Sequence, residues 1–226
     1  MDLIDKLGRI VGRSNVFRED KGGKYGSDWT GVYQFSPLAV VRPANATEVS
    51  EILKLANGEN IPVVPISGNT SLAGGTFADR GLVLSLQRMN KIREIRSASR
   101  LAIVEAGVVL SNLHTAVEEH DLIFPMSFGA RGSAMIGGML STNAGGSNVL
   151  KYGNTRDLCL GLEVVLPNGE IMDIMTELHK DNSGYNLKHL MIGAEGTLGI
   201  ITAAVLKLSP KPEAEATAML ATQSLD

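Results

Sequence analysis

The N-terminal third of the chain reads as a strand, a helix and two further strands. An apolar run at 38–41 predicts a strand, and Thr47 is placed to cap the helix that follows. Gly58 is placed to end that helix. Its apolar positions recur every three or four residues, at Val49, Ile52, Leu53 and Ala56. The runs 61–65 and 82–86 predict two more strands, so we expect a βαβ unit with a glycine-bearing loop at its crest.

A second group of predicted elements begins at residue 101. The run 101–106 predicts a strand, and 110–119 has the spacing of a helix. The runs 160–166 and 170–174 predict a hairpin, because a Pro-Asn-Gly sequence lies between them. The run 200–208 predicts the last strand of this group. The expected fold class is therefore α+β, with no internal repeat.

The sequence beyond Pro212 predicts the start of another unit. Residues 218–220 are apolar after a proline-containing stretch, as though a further strand began there. We therefore expect a first unit over 1–96, with an N-terminal helix, and a second over 97–212. Residues 213–226 are interpreted as the beginning of a third unit that the chain does not complete.

Charge and cysteine content narrow the function classes. The formal net charge is −3, so we expect no nucleic-acid partner and no anionic lipid surface, both of which require clustered Lys and Arg. An anionic cofactor would have to be attracted mainly by backbone N–H groups. The only cysteine, Cys159, lies in an apolar run, which fits a reducing compartment, and we expect a cytoplasmic protein. The sequence predicts no signal peptide and no transmembrane segment.

Glycine is enriched, with 25 among 226 residues, and its placement defines three segments. The first loop, 65–75, follows a predicted strand and has the composition of an anion-binding turn; an ordinary surface turn explains it about as well. It is neither a P-loop nor a GxGxxG motif. The middle segment, 127–153, combines seven glycines with buried-type residues such as Met135 and Ile136, which favours backbone packed against a flat or bulky group over disorder. The third segment, 192–201, places Glu195 among glycines before the last strand.

Four motifs within and between these segments carry a family resemblance. They are Gly-Asn-Thr at 68–70, Thr-Asn-Ala-Gly-Gly at 142–146, Asp-Asn-Ser-Gly-Tyr at 181–185 and Gly-Ala-Glu-Gly-Thr-Leu-Gly-Ile-Ile at 193–201. Over residues 28–212 the chain resembles the PCMH-type FAD-binding domain of the vanillyl-alcohol-oxidase superfamily. The likeness is greatest to the branch that contains D-2-hydroxyglutarate dehydrogenase, D-lactate dehydrogenase and the glycolate oxidase D subunit. It implies two α+β subdomains with FAD between them, and a cap domain that is absent from this chain.

The resemblance also implies a set of cofactor-binding residues. Residues 67–72 are expected to wrap the pyrophosphate, and 129–133 to run with parts of 137–146 along the flavin, ribose and phosphates. Residues 195–201 are expected to hold the adenine and ribitol side. The full implied set is Pro65, Ser67, Gly68, Asn69, Thr70, Ser71, Leu72, Pro125, Gly129, Ala130, Gly132, Ser133, Gly137, Gly138, Asn143, Gly145, Gly146, Glu195, Gly196, Gly199, Ile200 and Ile201.

Thr70 implies that the FAD is held noncovalently, because relatives with covalent flavin carry a histidine at this position. The chain departs from the family pattern at Ile66-Ser67, where Arg-Gly or Gln-Gly is usual, and at Met139, where Asn is common. Catalytic residues are not identifiable in this chain, since the family's substrate arginine and metal ligands lie in the cap and C-terminal parts.

The remaining polar residues have two interpretations each. The four histidines show no HxH or HExxH spacing and are interpreted as surface or capping residues, so no metal is assigned. Arg131, Lys151 and Arg156 flank the middle segment; solvated charges are the preferred interpretation, and contact with a phosphate or substrate carboxylate is the alternative. Tyr152 is expected either near the flavin edge or as a structural tyrosine.

The function that the resemblance implies is oxidation of a D-2-hydroxy acid, of the D-lactate, D-2-hydroxyglutarate or glycolate type, to the 2-oxo acid with an acceptor other than NAD. One alternative is an FAD-binding subunit or fragment without turnover of its own, completed by a separate cap or electron-acceptor protein. Another is a different FAD oxidase of the same superfamily, since one fold hosts several chemistries.

Overall fold

The computed structural model of the chain describes residues 2–18, 25–214, 216–222 and 224. Most of the expected third unit, 213–226, is described, but it contains no strand within 216–222. The strand expected at 218–220 is therefore a wrong prediction: Met219 is 98% exposed, and an apolar run without a neighbouring strand has no partner for its backbone N–H groups. Met1 and Asp226 lie outside the described residues.

The first sheet contains the N-terminal elements. They are α1 (Leu3–Val11), β1 (Val16–Phe17), β2 (Ala39–Val41), α2 (Ala46–Gly58), β3 (Val63–Ile66) and β4 (Leu82–Ser85). The strand order is β1-β2-β4-β3, and both β2 and β3 run parallel to β4. The predicted β2-α2-β3 crossover is confirmed, with β4 inserted between its strands. Leu7 of α1 and Ile52 of α2 are fully buried against Leu84, which anchors both helices on the sheet.

The cap of α2 differs from the prediction. Helix α2 begins at Ala46, and its cap is Asn45, whose Oδ1 accepts a hydrogen bond of 2.8 Å from the Glu48 N–H. The Glu48 carboxylate in turn accepts one of 2.8 Å from the Ala44 N–H. This variant of the capping box satisfies the Glu48 N–H of the first turn and the Ala44 N–H that precedes the cap. Thr47 lies inside the first turn, where it cannot cap. The predicted apolar face of the helix is confirmed, and the helix ends at Gly58.

The second sheet contains five antiparallel strands in the order β5-β6-β10-β8-β9. The elements that follow β4 are β5 (Ile92–Arg96), β6 (Leu101–Glu105), α3 (Leu110–Glu118), β7 (Leu122–Ile123), α4 (Ile136–Ser141), α5 (Val149–Tyr152), β8 (Cys159–Val165), β9 (Ile171–Ile174), α6 (Lys188–Met191), β10 (Ile200–Lys207) and β11 (Ser209–Pro210). The β8–β9 hairpin is confirmed: Gly169 takes a φ of 86° in its turn and donates to the Leu166 carbonyl. The polar strand β5 was not predicted, because its Ile-Arg-Glu-Ile-Arg sequence has no buried-strand pattern.

The two sheets contact each other at the ends of their strands. Val165 of β8 and Ile200 of β10 pack into the core of the first sheet together with Ala106. Gly107, just after β6, donates a 2.7 Å hydrogen bond to the Met89 carbonyl, and a β-carbon there would lie 2.2 Å from the Leu86 oxygen. The chain passes from the first sheet to the second between β4 and β5. Strand β5 therefore belongs to the second sheet, although it precedes the division expected at residue 96.

Candidate functional site

A cavity of about 340 Å³ lies where the first loop, the middle segment and the third segment converge. The first loop leaves β3, the middle segment includes α4, and the third segment leads into β10. The segments that the sequence singled out therefore face one another, although they are far apart along the chain.

The first loop is held in a fixed conformation beside the cavity. Asn69 adopts a left-handed backbone with a φ of 52°, and its Nδ2 donates a 2.9 Å hydrogen bond to the Ser27 carbonyl. Its Oδ1 accepts a 2.8 Å hydrogen bond from the Thr76 hydroxyl. The Asn69 side chain thus ties the loop to residues on both of its sides.

The first loop also touches the middle segment directly. A β-carbon added at Gly68 would lie 2.2 Å from the Ser133 carbonyl oxygen, and one added at Gly138 would lie 3.2 Å from the Ser67 Cβ. Side chains at either glycine would push the two walls of the cavity apart.

The third segment closes the cavity from another side. The Glu195 N–H donates to the Ser141 carbonyl at 2.9 Å, and the backbone of Glu195 is left-handed, with a φ of 52°. Gly196 lies against Pro65, where a β-carbon would come within 2.6 Å of the proline Cγ. The Glu195 carboxylate approaches Gly75 of the first loop. The third segment therefore contacts both α4 and the first loop.

Backbone N–H groups without a protein acceptor line this cavity. Within the part of the chain that the structure describes, the N–H groups of Gly68, Thr70 and Ser71 on one wall, and of Gly138 and Gly145 on the other, donate no hydrogen bond to the protein. Among the described residues that line the cavity, Glu195 is the only charged side chain, with no Lys or Arg. N–H groups without a protein acceptor on residues that line one cavity suit the phosphate oxygens of an anionic cofactor. This donor set is the one expected from the low net charge.

The cavity contains many of the residues implied by the resemblance. Those that line it are Pro65, Ser67, Gly68, Asn69, Thr70, Ser71, Ala130, Gly138, Gly145, Glu195, Gly199, Ile200 and Ile201. Implied residues that do not line it are Leu72, Pro125, Gly129, Gly132, Ser133, Gly137, Asn143, Gly146 and Gly196. Several of these support the walls: Gly137 packs on Ala106, and the Asn143 Oδ1 accepts from the Arg156 N–H.

Sequence reasoning missed part of the lining. The additional residues are Gly75, Thr76, Leu86, Phe128, Ala134, Met135, Met139, Ser141, Thr142 and Ala144. Thr142 and Ala144 belong to the motif at 142–146 and were open to recognition there. Met139 was noted only as a departure from the family pattern; it is 3% exposed and packs in the core of the second sheet while forming part of the wall. Leu86 carries no motif signal and was not identifiable from sequence.

The flanking basic and aromatic residues have structural contacts. The Arg156 guanidinium donates to the His189 and Ile192 carbonyls, so it is not a free solvated charge. Lys151 lies over the Tyr152 ring at 5.0 Å from its centroid, and Tyr152 is partly buried against the core of the second sheet. None of these three residues lines the cavity.

The histidines do not converge. His114 is half-buried, and burial lowers the pKa of its imidazole. The His120 ring contacts the Ser97 hydroxyl, and the His179 ring contacts the Ser99 carbonyl. No group of three or more His, Cys, Asp or Glu side chains within the described ranges has the geometry of a metal site. None of the helices that the structure describes is long and apolar enough to cross a membrane.

The fold and the donor set are those of a domain whose cavity suits an anionic cofactor. Residues 37–175 match the family described as FAD binding domain, and the chain belongs to this family. FAD is thus the cofactor class of this domain, and the resemblance inferred from the motifs is confirmed.

Relatives of known name share this domain. A D-2-hydroxyglutarate dehydrogenase of Xanthomonas citri pv. viticola is 44% identical over 203 residues, which cover 89% of this chain and 43% of that protein. The glycolate oxidase subunit GlcD of Bacillus subtilis is 40% identical over 100% of this chain and 48% of its own length. This chain therefore spans less than half the length of these relatives.

Solved structures agree on the fold. An alkyldihydroxyacetonephosphate synthase superposes with a TM-score of 0.80 over 93% of this chain and 40% of that chain, at 22% identity. A variant of the glucose dehydrogenase Phl p 4 gives a TM-score of 0.78 over 93% of this chain and 44% of its own, at 19% identity. The expected α+β fold is confirmed by these superpositions.

Proposed function

We propose that this chain is the FAD-binding part of an oxidoreductase that converts a D-2-hydroxy acid to the 2-oxo acid with an acceptor other than NAD. The observation that carries the proposal is the cavity lined by unpaired backbone N–H groups in a domain whose relatives are named as D-2-hydroxyglutarate dehydrogenases and a glycolate oxidase subunit. D-2-hydroxyglutarate, D-lactate and glycolate share an α-hydroxyl beside a carboxylate, so they form one substrate class.

The binding residues in this proposal follow the geometry of the cavity. The first sheet and the second sheet, each with its helices, grip the cofactor between them, and the loop 67–72 supplies N–H donors to its pyrophosphate. Gly138 and Gly145 line the other wall, and their N–H groups, which donate no hydrogen bond to the described protein residues, supply further donors. Glu195 suits hydroxyl or amino groups of the cofactor, because a carboxylate accepts hydrogen bonds and repels phosphate.

The lining also indicates where substrate binding occurs. FAD supplies the electron-accepting chemistry when it is bound. A substrate carboxylate requires a cationic partner, and the one charged side chain among the described residues of the lining, Glu195, is an anion that would repel it. We therefore propose that the groups that hold the substrate carboxylate come from outside this lining, in a cap or C-terminal half corresponding to the rest of the relatives' length.

We further propose that FAD is bound noncovalently. Thr70 stands where relatives with covalent flavin have histidine, and a threonine hydroxyl does not form that linkage. Acid precipitation of FAD-loaded protein is expected to leave all flavin absorbance in the supernatant. Flavin retained in the washed precipitate would contradict this.

The test of the proposed function has two stages. The chain is purified, incubated with FAD and desalted, and we expect flavin to be retained with a shifted visible band. The loaded protein is then combined with the separately produced C-terminal half of the Xanthomonas relative and mixed anaerobically with D-2-hydroxyglutarate, D-lactate or glycolate. Bleaching of the flavin band by one of these acids, but not by L-2-hydroxyglutarate or L-lactate, is the expected result. Retention of FAD without bleaching by any of them would reject the substrate class and leave cofactor binding intact.

An FAD-binding subunit without turnover is the second candidate. It is favoured by the alignment of the entire chain with GlcD, which is named as a subunit of glycolate oxidase. A separate electron-acceptor protein is then the expected partner. The two candidates differ in whether the FAD-loaded chain, once combined with the C-terminal half of the Xanthomonas relative, reduces an artificial dye in the presence of a hydroxy acid. We propose a cytoplasmic location on the basis of the single buried cysteine, although the relative from Danio rerio is named as mitochondrial.

A further inference from the structure

Arg156 joins two segments of the cavity wall without lining the cavity itself. Its guanidinium donates one hydrogen bond to the His189 carbonyl and another to the Ile192 carbonyl. These oxygens belong to the last turn of α6 and the residue after it, where a helix leaves carbonyls without intrahelical donors.

The Arg156 backbone contacts the other segment of the wall, residues 142–146. The Arg156 N–H donates a 3.0 Å hydrogen bond to the Asn143 Oδ1. The preceding residue, Thr155, is 1% exposed, and its hydroxyl donates a 2.7 Å hydrogen bond to the Ala144 carbonyl. The turn at 154–157 therefore fixes the conformation of residues 142–146, of which Thr142, Ala144 and Gly145 line the cavity.

The segment that contains α4 and the segment that carries Glu195 are hydrogen-bonded to each other at the cavity wall. The Gly193 N–H donates to the Leu140 carbonyl at 3.0 Å, and the Glu195 N–H donates to the Ser141 carbonyl at 2.9 Å. Gly193 has a φ of 85°, and a β-carbon there would lie 3.1 Å from the Arg156 Nη2. The guanidinium thus fills the space directly behind the turn that carries Glu195.

Two carbonyl acceptors require a forked donor. The planar guanidinium presents several N–H groups in a fixed arrangement, whereas a lysine ammonium is a single point charge on a flexible stem. Lysine at this position keeps the charge but cannot reach both carbonyls with the same geometry.

We infer that Arg156 is a positioning residue for the cofactor. It sets the relative placement of Glu195 and of the Gly145 N–H, and through them the geometry of the bound FAD. The inference rests on the proposed use of this cavity for FAD, but it requires neither the proposed substrate nor the proposed acceptor. No motif singled out this role, because the bonds that define it go to backbone carbonyls.

The test compares Arg156→Lys with a matched arginine. The Arg42 guanidinium also donates to a backbone carbonyl, that of Ser14, at 3.2 Å, and it donates to the Asn15 side chain. It stacks on the Phe17 ring. Arg42 does not line the cavity. Wild-type chain, Arg156→Lys and Arg42→Lys are each measured for the FAD dissociation constant, the visible circular dichroism of bound FAD, thermal stability, and amide hydrogen exchange without cofactor.

We expect Arg156→Lys to raise the FAD dissociation constant by about tenfold, which corresponds to the loss of one charge-assisted hydrogen bond. It is also expected to alter the visible circular dichroism and to accelerate exchange at 140–146 and 189–196. Arg42→Lys is expected to lower thermal stability while the dissociation constant stays within about twofold of wild type.

Equal FAD affinity and unchanged dichroism in Arg156→Lys would overturn the inference, as would equal losses of affinity in both variants. Unchanged amide exchange at 189–196 would show that the hydrogen bonds from the Arg156 guanidinium do not hold this segment in place. A wild-type chain that does not bind FAD would reject both this inference and the proposed use of the cavity. None of these readouts involves a substrate, so a failure of 2-hydroxyacid oxidation alone would not affect their outcome.

Discussion

Gly68 of the first loop lies against Ser133 of the middle segment so closely that a β-carbon on the glycine would stand 2.2 Å from the serine carbonyl oxygen. This separation is well below van der Waals contact, and the obstructing atom belongs to the backbone, which cannot rotate away as a side chain would. The contact sets the distance between the two walls of the cavity.

Gly68→Ala should therefore reduce FAD retention. The added methyl group forces the first loop away from residue 133 and moves the Gly68, Thr70 and Ser71 N–H groups relative to those on the opposite wall. We expect at least a tenfold rise in the FAD dissociation constant, of the order expected from losing one good hydrogen bond to a charged group. Equilibrium dialysis measures it. Gly58→Ala is the control, because a β-carbon at Gly58 meets no atom within 4 Å. Equal affinity in the two variants would contradict this role for the contact.

Gly129 and Gly132 permit a test of where the cofactor lies. A β-carbon at either position meets no protein atom within 4 Å, so the alanine variants should fold with unchanged thermal stability. If FAD extends past the cavity lining along residues 129–133, as the family resemblance implies, the added methyl groups collide with the cofactor and weaken its binding by about tenfold or more. Titration of FAD into each variant, with Gly58→Ala as the control, shows whether the cofactor lies against residues 129–133 or away from them. Unchanged affinity in both variants would show that the cofactor does not extend to these two glycines.

The apolar strands and the glycine-bearing segments of the cavity could be predicted from the sequence. The polar strand at the sheet edge and the long-range contacts that hold the cavity wall could not. The strands β4, β6 and β10 are apolar runs that are buried on both faces, and such runs are visible without any structure. The polar strand β5 was missed, because its residues gain their conformation from pairing with β6 and not from their own pattern.

The same distinction applies to the site. Gly68, Gly138 and Gly145 were identifiable because glycine allows close approach of backbone to a ligand, and they occur in recognisable motifs. Arg156 was interpreted as a solvated charge, because nothing local shows that its guanidinium reaches carbonyls more than thirty residues further along the chain. Contacts of that kind depend on tertiary placement, which periodicity does not encode.

Asn45 provides a test of the capping box at the start of α2. Asn45→Ala removes the acceptor of the Glu48 N–H, and we expect a loss of about 1 kcal/mol in the free energy of unfolding. For a chain of this size the melting temperature should fall by roughly 2–4 °C. Thr47→Ala should have a smaller effect, because Thr47 lies within the helix, and Asn57→Ala in the same helix serves as an exposed control. A larger loss in Thr47→Ala than in Asn45→Ala would restore Thr47 as the cap.

Cys159 predicts a pH dependence of stability. Its side chain is 3% exposed in β8, and burial raises the pKa of the thiol to about 12. In the unfolded chain a thiol has a pKa of about 8.5, so between these values the unfolded state loses its proton while the folded state retains it. Stability from this group is thus complete below about pH 8.5 and decreases as the pH rises towards 12. At pH 10 the decrease should be about 2 kcal/mol relative to pH 7.

The comparison that isolates this effect is the Cys159→Ala variant. Alanine lowers stability at every pH because it leaves a small cavity, but it has no proton to lose, so its free energy of unfolding should fall less between pH 7 and pH 10 than that of the wild type. Urea unfolding at both pH values measures the difference, and the folded wild type should also react with a thiol reagent at pH 8 only after denaturation. Identical pH slopes for the two proteins, or rapid labelling of the folded chain, would show that the thiol ionises as freely in the folded state as in the unfolded one.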